Sequence, residues 1–186
     1  MRTLVTGGVR CGKSRHAEAL LAAAAGDGPA VYVAAGPVPT TDDDPDWVAR
    51  VAAHRARRPA GWSTHESGDL VAAIALGRPV LVDCLGTWLT GLLDHAVDGA
   101  GDGLSAWEWP VERLESLVAA ELDRLLPALT AAAADVVLVT NEVGWGVVPS
   151  HRSGRAFRDL LGTVNQRVAT ACDEVHLVVA GRVLVL

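Results

Sequence analysis

The segment "GGVRCGKS" at residues 7–14 contains the residue types that bind nucleotide phosphates. Gly7, Gly12, Lys13 and Ser14 have the spacing of a P-loop, whose backbone N–H groups surround phosphate oxygens. In this motif the lysine contacts the β and γ phosphates, and the serine hydroxyl is a ligand for Mg²⁺. Lys13 is the only lysine among the 16 lysine and arginine residues. The chain thus has the compact ammonium group of a lysine, and not an arginine guanidinium, at the position where phosphate is expected.

A second candidate site is "HRARRPAGW" at residues 54–62, where arginines surround one histidine in a chain of formal net charge −6. One interpretation is a solvated helix end. The other is a phosphate site in which His54 is a nucleophile. Arg50, His54 and Arg58 have a spacing that puts them on one helix face, and the like charges favour the neutral, nucleophilic imidazole. Spacing alone leaves both interpretations open.

Short apolar segments alternate with longer helical patterns, which predicts an α/β three-layer fold. Continuous apolar runs are typical of parallel strands buried on both faces. The predicted strands are 3–6, 30–34, 79–84, 135–140 and 176–180, with a last antiparallel strand after a turn at Gly181. The predicted helices are 13–25, 45–58, 67–77, 86–97, 110–134 and 151–172. Pro127 is expected to bend or divide the fifth helix.

Residues at the carboxyl ends of the predicted strands are further site candidates, because ligands bind outside those ends in parallel sheets. They include residues 34–36, Asp83 and the pair Asn141 and Glu142. Asp83 ends an apolar run, as the magnesium-side carboxylate of P-loop enzymes does, and helix capping is its alternative role. The glycine-rich segment 94–109 is predicted to be an exposed loop.

The composition limits the class of protein. A chain of 186 residues, half of them hydrophobic, fits one compact domain spanning 1–186. A pI near 5.4 argues against nucleic-acid or membrane-surface binding, and no apolar run is long enough for a membrane span. Cys11, Cys84 and Cys172 form no metal or disulfide pattern, which is typical of a reducing cytoplasm.

Several segments together resemble the bifunctional adenosylcobinamide kinase/adenosylcobinamide-phosphate guanylyltransferase family of cobalamin biosynthesis. They are "LVTGGVRCGKSRHAEAL", "RVAAHRARRPAGW", "VDCLGTWLTGLL", "VVLVTNEVGWGVVP" and "FRDLLGTVNQRVA". The resemblance implies a RecA-like P-loop fold, a homotrimer and Mg²⁺ as cofactor. It also implies that ATP or GTP phosphorylates adenosylcobinamide. GMP is then transferred from GTP to adenosylcobinamide phosphate, with release of pyrophosphate.

The resemblance implies roles for individual residues. His54 matches the histidine that carries GMP covalently, Lys13 is implied in catalysis, and Ser14 and Asp83 are the expected metal ligands. Cys11 stands where the family usually has a serine. The implied nucleotide-binding residues are Gly7, Gly8, Val9, Arg10, Cys11, Gly12, Lys13, Ser14, Ala34, Ala35, Gly36, Arg55, Ala56, Arg57, Arg58, Glu66 and Asp83.

Two other functions are compatible with the P-loop. The first is a small-molecule kinase without guanylyl transfer, in which the arginines serve phosphoryl transfer only. The second is a GTP-binding regulatory module, which is disfavoured because the NKxD motif for base recognition is absent. Covalent labelling by GTP separates the three functions, because only a guanylyltransferase retains the nucleotide through denaturation.

Overall fold

The computed structural model of the protein describes residues 1–36, 45–100 and 105–186, without the side chains of Trp47, Arg50 and Ala100. Its strands are β1 (Arg2–Gly7), β2 (Ala30–Val33), β3 (Trp62–His65), β4 (Val80–Asp83), β5 (Val136–Val139), β6 (Glu174–Val179) and β7 (Arg182–Val185). Its α-helices are α1 (Lys13–Ala25), α2 (Pro45–Ala56), α3 (Leu70–Ile74), α4 (Leu85–Ala100), α5 (Val111–Thr130) and α6 (Arg152–Ala169).

These strands form one sheet in the order β3-β2-β4-β5-β1-β6-β7. Neighbouring strands are parallel, except that β7 returns antiparallel to β6. On one face, Ala17 and Leu21 of α1 pack in the core with residues of β1, β2, β4 and β5. On the other face, α3 to α6 pack in a larger core that includes Leu4 and Val82. The predicted three-layer fold with a mostly parallel sheet and an antiparallel last strand is confirmed.

Strand β3 was not predicted from the sequence. This strand, Trp62–His65, pairs in parallel with β2 at one edge of the sheet. Ser63 and Thr64 are exposed, so this edge strand has none of the continuous apolar character by which the buried strands were recognised.

Helix α5 continues through Pro127 and ends at Thr130, so of the two predicted effects, a bend or a division, the division does not occur. A proline cannot donate the backbone hydrogen bond that the carbonyl of Asp123 would otherwise accept. Asp123 and Pro127 are both exposed, so water can solvate that carbonyl. The helix therefore tolerates the proline in its final turns.

The predicted exposed loop at 94–109 is wrong for most of its described residues. Helix α4 extends to Ala100, and residues 106–108 form a short 3₁₀-helix. Ser105 and Glu108 cap that helix reciprocally, while Ala106 and Trp109 are buried in the larger core. Residues 101–104 lie outside the described part of the chain.

Candidate active site

The P-loop connects β1 to α1 with the backbone geometry that its glycines permit. Gly7 has φ of 152°, and a Cβ at this position would collide with the carbonyl oxygen of Val178. Gly12 has φ of 102° and directly precedes α1. The Lys13 residue is 7% exposed, and its Nζ donates to the carbonyl oxygen of Gly8 at 3.0 Å. The P-loop predicted from the sequence is present, and Lys13, the only lysine of the chain, folds back over this loop.

The P-loop and helix α2 line a common cavity of about 980 Å³. Lys13 and Ser14 contribute from the P-loop side, and His54 and Arg57 contribute from α2. The turn between β6 and β7 closes another side with Gly181, whose N–H donates to the carbonyl oxygen of Cys11 at 2.8 Å. The structure thus brings the two candidate sites of the sequence to one cavity.

The Nδ1 atom of His54 lies close to polar atoms of Arg57, Asp83 and Tyr32. It lies 3.3 Å from Nη2 of Arg57, 3.5 Å from Oδ2 of Asp83 and 3.5 Å from Oη of Tyr32. A protonated Nδ1 would point its hydrogen at Asp83 and Tyr32, which leaves the ring lone pair on Nε2. A contact donated by Arg57 requires the opposite tautomer. The electrostatics of His54 thus depend on a carboxylate as well as on arginines.

Tyr32 joins this group from the middle of β2. Its hydroxyl donates to Oδ2 of Asp83 at 2.8 Å, and burial together with the Asp83 carboxylate raises the pKa of Tyr32. The phenol therefore stays a donor at neutral pH. Sequence reasoning missed this residue because it lies inside an apolar strand, although it is the only tyrosine of the chain.

Arg58 does not lie on a common helix face with His54, contrary to the prediction from helical spacing, but both residues contact Tyr32. Its guanidinium carbon lies 3.6 Å from the centroid of the Tyr32 ring, and Nη1 donates to Oγ1 of Thr64 at 2.9 Å. Helix α2 ends at Ala56, so Arg58 lies beyond its last residue and the i+4 geometry no longer applies. The side chain of Arg50 is not among those that the structure describes.

Two other arginines of this segment are paired with carboxylates. Arg57 donates to Glu18 of α1 at 3.0 and 3.2 Å, and these bonds raise the pKa of Arg57. Arg55 forms an exposed ion pair with Glu66. Glu18 was not identified from the sequence, because nothing in its local pattern distinguishes it from a solvated helix residue.

The remaining predicted nucleotide-binding residues are not part of the cavity lining. After β2, the N–H of Ala34 donates to the carbonyl oxygen of His65 at 2.9 Å, and Ala35 is buried. The cavity lining includes Arg10, Cys11, Gly12, Lys13, Ser14, His54 and Arg57 from the predicted set. It does not include Gly7, Gly8, Val9, Ala34, Ala35, Gly36, Arg55, Ala56, Arg58, Glu66 or Asp83.

The predicted metal ligands are both hard oxygen donors. Within the described residues, no group of three or more histidine, cysteine, aspartate or glutamate side chains could hold a metal ion. This donor set fits Mg²⁺, which is commonly held by one or two protein oxygens together with substrate phosphates. Asp83 does not cap α4, because its described hydrogen bond comes from Tyr32 and not from a backbone N–H of that helix.

Comparison with known proteins identifies the family. Residues 3–186 match the family model "Cobinamide kinase / cobinamide phosphate guanyltransferase", and the chain belongs to this family. It is 43% identical to the Salmonella typhimurium protein "Bifunctional adenosylcobalamin biosynthesis protein CobU", over 97% of each chain. The Escherichia coli protein of the same name is 44% identical, again over 97% of each chain. A Pseudomonas aeruginosa relative, CobP, is 39% identical over 97% of this chain and 94% of its own.

Solved structures resemble the chain more distantly. A KaiC-like protein from Pyrococcus horikoshii is 13% identical, with a TM-score of 0.40 over 95% of this chain and 71% of its own. The P4 protein of bacteriophage phi6 is 16% identical, with a TM-score of 0.37 over 98% and 52%. The assignment of the P-loop fold rests on the strand order and on the loop itself. No helix in the described ranges is long and apolar enough to cross a membrane.

Proposed function

We propose that residues 1–186 act as one unit that catalyses both reactions of its family. ATP or GTP phosphorylates the hydroxyl of adenosylcobinamide, and GMP is then transferred from GTP to the resulting phosphate. The observation that carries this proposal is the common cavity of Lys13 and His54. A nucleotide bound to the P-loop would present its phosphates to both residues. A kinase without guanylyl transfer has no comparable use for the histidine.

In the kinase reaction, the P-loop backbone and Lys13 hold the β and γ phosphates. Gly8 and Gly12 belong to the backbone that surrounds the phosphates, while Lys13 is the mobile charge. Its present bond to the Gly8 carbonyl is one that a phosphate oxygen can replace. When bound to Ser14 and Asp83, Mg²⁺ supplies neutralisation of phosphate charge.

In the guanylyltransferase reaction, His54 attacks the α-phosphorus of GTP and pyrophosphate leaves. The phosphate of adenosylcobinamide phosphate then displaces the histidine and takes the GMP. Asp83 and Tyr32 at Nδ1 support this role, because they favour the tautomer whose lone pair is on Nε2. Each transfer is an in-line displacement, so the α-phosphorus should show net retention of configuration.

The arginines of residues 55–58 supply positive charge for the departing pyrophosphate. Arg57 is the best placed, because it lines the cavity and lies beside His54. Its bidentate pairing with Glu18 holds the guanidinium in position before the nucleotide arrives. Arg55 and Arg58 would contribute from outside the cavity lining, since Arg55 pairs with Glu66 and Arg58 stacks on Tyr32.

The proposal includes a homotrimer in the cytoplasm. Strand β7 forms an edge of the sheet and exposes Val183, Leu184 and Val185, an apolar edge of the kind that subunit contacts cover. The three cysteines are free, which fits a reducing compartment.

The experiment compares both half-reactions in the wild type, in His54→Ala and in the control His95→Ala. His95 lies exposed on α4, so its loss tests the general effect of removing a histidine. We expect His54→Ala to lose guanylyl transfer and to keep most of the phosphorylation of adenosylcobinamide, because that step uses no covalent histidine. Equal loss of both activities in a folded His54→Ala protein would contradict the two-step assignment.

A further inference from the structure

A second carboxylate lies beside the P-loop, separate from the group around His54. Thr6, the residue before the first P-loop glycine, donates from Oγ1 to Oε1 of Glu142 at 2.7 Å. The N–H of Glu142 donates to the carbonyl oxygen of Gly7 at 3.3 Å. Since Thr6 is 5% exposed, its hydroxyl is a fixed donor. Glu142 is thus attached by both backbone and side chain to the start of the P-loop.

The position of Glu142 follows from the order of the strands. It comes shortly after β5, which is the direct neighbour of β1 in the sheet. Asp83 ends β4, one strand farther from β1. The carboxylate next to the phosphate loop is therefore Glu142, whereas Asp83 is engaged by Tyr32 and lies near His54.

The surroundings of Glu142 differ from those of Glu18 and Glu66, the two carboxylates that pair with the arginines of residues 55–57. Glu18 is held by Arg57 and Glu66 by Arg55, so a cation already neutralises each of them. Among the described residues, Glu142 forms no ion pair, and its side-chain bond comes from a neutral hydroxyl. A carboxylate that is oriented but not neutralised can accept a proton from a neighbouring group.

We propose that Glu142 is the general base of the kinase reaction, an inference that rests on the proposed function. The hydroxyl oxygen of the cobinamide substrate forms a bond to the γ-phosphorus, and its proton passes to the Glu142 carboxylate. The bond between the γ-phosphorus and its bridging oxygen breaks, and the electron pair leaves with the nucleoside diphosphate. Thr6 is a positioning residue, because it directs one carboxylate oxygen and leaves the other to the substrate.

The two reactions differ in their need for this base. An alcohol must lose its proton during phosphoryl transfer, whereas the acceptor of GMP is a phosphate monoester that is already ionised at neutral pH. Replacing Glu142 should therefore affect the two half-reactions unequally.

The test is Glu142→Gln, whose side-chain oxygen can still accept the Thr6 hydrogen bond. We expect the kinase kcat to fall about 10²–10⁴-fold with the KM for nucleotide unchanged. Guanylyl transfer to supplied adenosylcobinamide phosphate should persist. Glu121→Gln, on α5 and paired with Arg124, is the control for loss of a carboxylate, and both activities should persist in it.

A second pair of variants keeps the test decisive if Glu142→Gln folds poorly. Thr6→Ser retains the hydroxyl and should retain kinase kcat, whereas Thr6→Val should lower kcat without raising the nucleotide KM. Unchanged kinase kcat in Glu142→Gln, or equal loss of both half-reactions, would overturn the assignment of the base. A wild type that lacks guanylyl transfer would instead overturn the proposed function.

Discussion

The two ends of the sheet differ in how completely their cationic groups are paired with carboxylates. At the amino end of β1, the N–H and Nε of Arg2 donate to Oδ2 of Asp173 at 2.7 and 3.1 Å, and the N-terminal amine pairs with Asp135. Every cation in this group thus has an anion of the protein beside it. These partly exposed pairs need no ligand to complete them.

At the carboxyl end, the cations of the cavity are less completely paired. Lys13 bonds to a backbone carbonyl, and none of Arg10, Lys13 and Arg15 forms an ion pair with a described carboxylate. Arg57 has Glu18, but it also reaches His54. In a chain with a net charge of −6, this local excess of positive charge favours an anionic ligand. The charges at the amino end of β1 thus stabilise the fold, whereas the cations of the cavity are available to bind an anionic substrate.

Lys13→Ala should have the largest effect at the carboxyl end. Nothing else in the loop supplies a mobile charge for the β and γ oxygens, so kinase turnover should fall by about a hundredfold or more. Stability should change little, because the lost bond goes to one carbonyl of a solvated loop. Turnover of adenosylcobinamide and the melting temperature would be measured together. Near-normal turnover in a folded protein would show that the cation is not part of the phosphate site.

Asp83→Asn should have an intermediate effect. If Asp83 helps to hold Mg²⁺, the concentration of Mg²⁺ for half-maximal activity should rise by about tenfold or more, since even outer-shell partners contribute that much to metal affinity. Asparagine can still accept the Tyr32 hydroxyl, so the fold should be retained. A magnesium titration of both half-reactions checks this. An unchanged titration with a lower melting temperature would reassign Asp83 to the fold.

Asp173→Asn at the amino end should have the smallest effect, confined to stability. Hydrogen bonds from Arg2 lower the pKa of Asp173 to about 2, from an ordinary value of 3.8. The unfolded chain therefore binds the proton more readily, and the stabilisation is present above pH 3.8 and is lost as the pH falls toward about 2.

Urea unfolding of the wild type and Asp173→Asn would test this across that pH range. The two proteins should differ modestly in their free energy of unfolding at neutral pH and converge in acid, with equal activity throughout. A loss of either activity by Asp173→Asn at neutral pH would contradict the claim that the charges at the amino end of the sheet serve stability only.

The sequence predicted those parts of the molecule whose cause is local. Glycines and one lysine at fixed spacing sufficed for the P-loop, and continuous apolar runs sufficed for the buried strands. Edge strand β3 escaped this reasoning, because its serine and threonine face solvent and its pairing depends on β2.

The partners of His54 could not be predicted for a related reason. Tyr32, Asp83 and Glu18 reach the histidine or its arginine from three different elements, and only the folded sheet brings them together. The end of α2 at Ala56 also takes Arg58 off the helix face of His54, which helical periodicity alone could not indicate. Residue types identified the candidates, and tertiary contacts determined which of them meet.

The most direct test of the central claim is covalent labelling with GTP that carries a radioactive α-phosphate. The wild type, incubated without a cobinamide substrate and then denatured, should retain the label, whereas GTP labelled at the γ-phosphate should leave none. The adduct should be labile to acid and stable to base, as a histidine–phosphorus bond is, and His54→Ala should show no label. A label retained by His54→Ala, or guanylyl transfer by a wild type that never retains label, would contradict the account.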